Sequence, residues 1–211
     1  KYSPIGLPVR IQHLQGCRES PPCTSPEILC ASLYGELPQV VDAEGFLLPT
    51  IGKIDDRYVV SHELGRGTFG SVLKAWDSAT GQNVAIKVVK SGGKSTQDAV
   101  IEAAKLTLLG QSEVGRRFVV IAYQEFFFLD HFCIVFEMLG DSLHKAMERM
   151  RMQGKHMQLE SLRNVSKQLC EGVQFLTQCG LVHADLKPEN VVLYPDSDLD
   201  DTFPMIKLID F

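Results

Sequence analysis

The sequence predicts an α+β fold, with five strands and one helix in its first part and helices after them. Three observations predict it. Between about Arg57 and Met138, short segments rich in Val, Ile, Phe and Trp alternate with glycine turns, and one run of helix formers interrupts them. From Asp141 the apolar spacing changes to three and four. The composition, 45% hydrophobic and 22% charged over 211 residues, is ordinary for a globular chain long enough to bury a real core. Strands first and helices afterwards is the order of an α+β domain.

The elements follow in order. Residues 1–56 hold Pro4, Pro8, Pro21, Pro22, Pro26, Pro38 and Pro49, and no strand or helix period persists there. They are expected to form a mostly disordered extension with short apolar patches, and the Ser-Pro pairs within it reflect composition. RYVVSHEL, GRGTFG and SVLKAWD read as strand, glycine turn and strand. Thr80-Gly81 makes the next turn, and QNVAIKVVK the third strand. STQDAVIEAAKLTLLGQ is a helix started by Ser95 with Asp98 three residues on, and stopped at Gly110. FVVIAYQEFFFLDHFCIVFEM reads as two strands around Leu129-Asp130-His131. DSLHKAMERMRM is a short helix capped by Asp141 or Ser142. In LESLRNVSKQLCEGVQFLTQCG, the residues Leu162, Val165, Leu169, Val173 and Leu176 define one apolar face, ending before Gly180. YPDSDLDDTFP, with its four aspartates, is expected to be a solvated acidic loop.

Composition excludes some functions. No apolar run approaches the ~18 residues of a membrane span, and no secretory signal pattern is present. The net charge of −5 argues against nonspecific nucleic-acid binding. None of the six cysteines forms a C-x-x-C pair, which suits reduced thiols in an intracellular protein. His13, Cys17, Cys23 and Cys30 fit no standard zinc spacing.

Three groups of residues carry chemistry. In Gly65-x-Gly67-x-x-Gly70-x-Val72, glycines let backbone N–H groups approach phosphates without interference from Cβ. A dinucleotide-binding turn is the rival reading, but it needs a helix after the glycines, and SVLKAWD looks like a strand. In VAIK, Lys87 lies inside an apolar strand and needs an anion. Glu102, in the middle of the predicted helix, could supply it. HADLKPEN sets Asp185, Lys187 and Asn190 close together, followed at a distance by Asp210.

GRGTFGSV, VAIK, the helix bearing Glu102, HADLKPEN and the final IDF stand in the order seen in eukaryotic protein kinases, and the chain resembles that family from about Arg57 to Phe211. The resemblance implies a bilobal kinase-like fold: a five-stranded antiparallel N-lobe sheet with one helix, and an incomplete helical C-lobe. Residues 57–139 would be the N-lobe and hinge, and 140–211 part of the C-lobe. It also implies an ATP- and Mg²⁺-dependent enzyme acting on protein substrates. Gly65, Gly67 and Gly70 would cover the phosphates, and Val72, Ala85 and Val192 would enclose the adenine. Lys87, held by Glu102, would grip the α and β phosphates. Phe136 would back the pocket, Glu137 and Leu139 would read the adenine edge, and Asp141 or Ser142 would reach the ribose. Asp185 would orient the substrate hydroxyl, Lys187 would neutralise the moving phosphoryl group, and Asn190 and Asp210 would hold Mg²⁺.

Ala184 stands where the family carries an arginine that pairs with an activation-loop phosphate, so control by that route is not expected. HADLKPEN with CIVFEMLG resembles the branch of LAMMER, dual-specificity tyrosine-regulated and homeodomain-interacting kinases. The LAMMER group ranks first because of CIVFEMLG and the long insert before IKLIDF. That branch phosphorylates Ser and Thr, autophosphorylates Tyr and is often nuclear, which implies a nuclear or cytoplasmic location. The sequence stops at Asp210-Phe211. The expectation is therefore a truncated chain that transfers no phosphate by itself but retains nucleotide binding. The alternative is a nucleotide- or partner-binding module without catalysis.

Overall fold

The structure is a computed structural model, and it describes residues 41–43, 45–91 and 93–210. Residues 1–40 of the extension expected over residues 1–56, His13, Cys17, Cys23 and Cys30 among them, lie outside the described residues, as does Phe211.

The five predicted strands form, with a two-residue strand added at one edge. They are β1 (Lys53–Ile54), β2 (Tyr58–Arg66), β3 (Gly70–Asp77), β4 (Gln82–Val89), β5 (Ala122–Phe128) and β6 (His131–Glu137). Their order in the sheet is β1-β2-β3-β4-β6-β5, antiparallel throughout. Order thus begins before Arg57. Val41 pairs with Leu47, Pro49–Ile51 make a 3-10 turn, and Phe46 and Leu47 are buried. A stretch this short has no readable period, so the sequence did not reveal it.

Helix α1 (Gly93–Leu109) starts two residues earlier than expected and packs on the sheet through Ala99, Ala103, Leu106 and Leu109. A second helix, α2 (Glu113–Phe118), was not foreseen. Ser112 caps it by accepting from the Gly115 N–H at 2.9 Å. The C-terminal lobe holds α3 (Leu143–Met152), α4 (Leu159–Gln178) and a small ladder of β7 (Val191–Leu193) with β8 (Ile206–Leu208). For α3 the cap is Ser142, whose Oγ accepts from the Lys145 N–H at 3.3 Å. This is the bilobal α+β arrangement that the kinase resemblance implies.

The apolar stripe of α4 is rotated from its predicted face. Val165 and Leu176 are buried, while Leu162 is 49% and Val173 38% exposed. The inward line is Ser161, Val165, Gln168, Gly172 and Leu176. Its polar members have partners in the segment leading to β8. Ser161 Oγ donates to the Asp201 carbonyl at 2.7 Å, and Gln168 Nε2 donates to the Pro204 carbonyl at 2.7 Å. Gln168 Oε1 accepts from the Ile206 N–H at 3.2 Å. A Cβ on Gly172 would sit 3.2 Å from Leu208 Cδ1, so the glycine lets β8 approach. The acidic insert is accordingly anchored rather than freely solvated. Leu199 is fully buried, Arg149 binds Asp198 at 3.0 Å, and Lys155 pairs with Asp200.

Candidate active site

Period-two alternation in β4 divides its side chains between two cores. Val84, Ile86 and Val88 enter the upper core with Leu73, Ala75, Cys133 and Val135. Ala85 and Lys87 therefore face the other way, towards the second lobe. The antiparallel register sets Val72 opposite Lys87, and Phe136 opposite Ala85. Directly opposed residues share a face, so all four look into one cleft.

That cleft is a cavity of about 820 Å³. Its lining includes Gly65, Gly67, Val72, Ala85, Lys87, Glu102, Phe136, Glu137, Leu139, Asp141, Ser142, Val192 and Asp210. Gly70 does not line it. A Cβ on Gly70 would lie 2.3 Å from the Val88 carbonyl oxygen, so this glycine serves the close contact of β3 with β4. The glycine turn joins two antiparallel strands and no helix follows it, which removes the dinucleotide-binding reading.

Lys87 is the centre of charge. Its Nζ donates to both Glu102 oxygens at 2.8 Å and to Asp210 Oδ1 at 2.9 Å. Burial disfavours the ammonium, but Asp210 and Glu102 outweigh it and raise its pKa above the ordinary lysine value. Asp210 arrives from the end of β8 with a left-handed backbone, φ 58°. The adjacent Ile209 N–H donates to the Asn190 carbonyl at 3.0 Å, which sets Asn190 and Asp210 at one end of the β7–β8 ladder.

Asn190 connects this end to the loop before it. Its Nδ2 donates to the Asp185 carbonyl at 2.9 Å and to Asp185 Oδ2 at 3.0 Å. Lys187 Nζ donates to the same Oδ2 at 2.7 Å. Lys187 foremost holds the Asp185 carboxyl below its ordinary range, and Asp185 in turn raises the Lys187 pKa, with smaller contributions from Glu189 and then Asp210. Asp185 is presented by a tight turn. Its N–H donates to the His183 carbonyl at 2.8 Å, and Ala184 between them has φ 62°. His183 itself is buried.

The segment joining the lobes is pinned from several sides. Glu137 Oε1 accepts from the Ile121 N–H at 2.7 Å and from Lys207 Nζ, an ammonium only 2% exposed. The Glu137 N–H donates to the Ile121 carbonyl at 3.0 Å. Gly140 N–H bonds the Leu193 carbonyl and Leu193 N–H the Asp141 carbonyl, each at 2.9 Å. These bonds set Val192 as the floor of the cavity. Sequence reasoning missed Lys207. An isolated lysine in IKL gives no signal until Glu137, seventy positions away, is seen beside it.

Two lobes around a hinge-bounded cavity, with a lysine–carboxylate junction at its back, are the architecture of a protein kinase domain. The family model described as "Protein kinase domain" matches residues 58–211. The chain belongs to the protein kinase family. It is 40% identical over 137 residues to the serine/threonine-protein kinase AFC3 of Arabidopsis thaliana, covering 65% of this chain and 34% of that protein. The serine/threonine-protein kinase ppk15 of Schizosaccharomyces pombe is 34% identical over 157 residues, 74% of this chain and 28% of that one. The human dual specificity tyrosine-phosphorylation-regulated kinase 4 is 33% identical over 172 residues, 81% and 32% of the two chains. The chain is thus related to the LAMMER, dual-specificity tyrosine-regulated and YAK1-type kinases. It spans about a third of the length of these curated relatives. The family is one that uses ATP and Mg²⁺. Among the described residues no helix is long and apolar enough to cross a membrane.

Proposed function

We propose that this chain binds ATP with Mg²⁺ and provides the groups that transfer the γ-phosphoryl group to Ser and Thr hydroxyls of proteins, with Tyr as an additional acceptor. The observation that carries this reading is the junction of Lys87 with Glu102 and Asp210 at the back of the cavity. It holds a cation where polyphosphate charge must be met, beneath a glycine turn. At Gly65 a Cβ would meet nothing within 4 Å, so backbone there faces open space. Val72, Ala85 and Val192 would enclose the adenine against Phe136. The Glu137 carbonyl and Leu139 N–H would read its edge, and Asp141 or Ser142 the ribose.

Asn190 and Asp210 fit a Mg²⁺ site. They offer an amide and a carboxylate oxygen at one end of a ladder, and Mg²⁺ takes one or two protein oxygens and completes its shell with water and phosphate. When bound there it supplies neutralisation of phosphate charge. Asp185 would orient the acceptor hydroxyl. Its Oδ2 accepts from Lys187 and Asn190, and Oδ1 would meet the substrate. Its depressed pKa keeps it ionised, suited to positioning a hydroxyl and receiving the proton late. Lys187 would neutralise charge on the phosphoryl group in transit. The free thiols Cys133, Cys170 and Cys179 support an intracellular setting, nuclear or cytoplasmic.

The test is phosphate transfer from ATP to Ser- and Thr-containing peptides by the protein that carries this chain. Asp185→Asn should lower kcat by about 10²–10⁴-fold with little change in KM for ATP. Full activity in that variant would overturn the assignment.

A further inference from the structure

The N-terminal hairpin Val41–Leu47 has no part in the nucleotide reading, yet it reaches the glycine turn. Val41 bridges Leu47, the Asp42 N–H donates to the Phe46 carbonyl at 2.9 Å, and the Gly45 N–H donates to the Asp42 carbonyl at 3.0 Å. Asp42 Oδ1 accepts from the Phe46 N–H at 2.9 Å, which orients the carboxylate. Its Oδ2 accepts from Arg66 Nη1 at 2.6 Å. Arg66 stands between Gly65 and Gly67 and lines the cavity. Glu63 grips the other side of the same guanidinium, at 3.1 and 2.8 Å. Phe46 is 4% exposed, and two cations lie over its ring. Arg66 is 4.3 Å and Lys90 Nζ 3.9 Å from its centroid. Lys90 also holds the tip of the turn, its N–H donating to the Phe69 carbonyl at 3.0 Å. Leu47 is fully buried in the upper core and anchors the hairpin.

We propose that Asp42 and Phe46 are positioning residues for the glycine turn. Through Arg66 at its root and Lys90 behind its tip, they hold the turn at the height from which its backbone covers the phosphates of a nucleotide. The argument is one of entropy. A glycine turn is freely mobile, and closing it over a ligand costs the freedom it had before. A clamp that fixes both ends removes part of that cost in advance. The effect belongs to ligands that carry phosphates, since the adenine is enclosed by other residues. The inference rests on the nucleotide reading above.

The experiment titrates the full chain with ATP and, separately, with adenosine. Asp42→Asn keeps the oxygen that accepts from Phe46 and removes the charge facing Arg66, and Phe46→Leu keeps the burial and removes the ring. Each should weaken ATP binding about threefold, and the double variant about tenfold. Adenosine affinity should stay within about twofold, and Asp42→Glu should restore ATP binding. Equal weakening of ATP and adenosine, or unchanged ATP affinity, overturns the proposal. Wild-type chain that binds no ATP would instead overturn the nucleotide reading. Amide exchange then decides the clamp alone: exchange at Gly67–Phe69 should quicken about threefold in Asp42→Asn, and unchanged rates there refute it.

Discussion

Replacing Glu102 with Gln removes half of the charge that surrounds Lys87 and leaves the shape nearly unchanged. The side chains of Lys87 and Glu102 are 19% and 12% exposed, so the pair is mostly screened from water. A charge-assisted hydrogen bond contributes about 1.5–3 kcal/mol net, and stranding a partner in a buried pair costs more. Lys87 keeps Asp210 at 2.9 Å, which limits the loss to the lower end. The expected cost is about 1.5 kcal/mol, or about 3–6 °C in Tm for a chain of this size. The pH dependence gives a second check. The Lys87 pKa is raised in the folded chain. Its contribution is therefore complete below the unfolded lysine value of about 10.4, and is lost as pH rises through the higher folded value. Thermal unfolding followed by circular dichroism should show a gap between wild type and Glu102→Gln that holds from neutral pH to that range and closes above it. A variant as stable as wild type at neutral pH, or a gap that widens in alkali, would refute the reasoning.

Other expectations follow from the same contacts. Leu199→Ala, at a fully buried position in the insert, should cost about 3 kcal/mol in urea unfolding. Gly70→Ala places a Cβ 2.3 Å from the Val88 carbonyl oxygen, and should lower Tm by more than an Ala at Gly65, where nothing lies within 4 Å. Gln168→Leu strands the Pro204 carbonyl and the Ile206 N–H, and should cost about 2–3 kcal/mol in the same unfolding measurement. Asp77 is held well below the usual carboxylate range, by Arg57 first and then by Thr80 and the Ala79 N–H. Its stabilisation is present above about pH 3.9 and disappears as pH falls through its folded value, so Asp77→Asn should lose less stability than wild type in an acid titration.

Much of the fold was legible because it rests on local signals. Alternation in VAIK assigns Ala85 and Lys87 to one face, and helix formers around Glu102 bring it within reach of that face. What stayed hidden depends on partners distant in the chain. The stripe of α4 was misjudged because Ser161 and Gln168 are polar by type, yet they are buried against backbone groups of the insert. The three-residue strands β7 and β8 are too short to show a period. Phe46 and Leu47 look like scattered apolar residues in a Pro-rich stretch until Arg66 and Lys90 are seen around the ring. In the site, GRGTFG and HADLKPEN drew attention by motif, whereas Lys207 beneath the hinge had no motif to mark it.

The central claim is that Lys87, Asp210 and the glycine turn converge on one triphosphate. The most direct measurement is a calorimetric titration of the chain with ATP, with and without Mg²⁺, alongside Lys87→Ala. The account predicts saturable binding that Mg²⁺ strengthens and that Lys87→Ala weakens by about tenfold or more. Binding that is indifferent to both the metal and the lysine, or no binding at all, would contradict it.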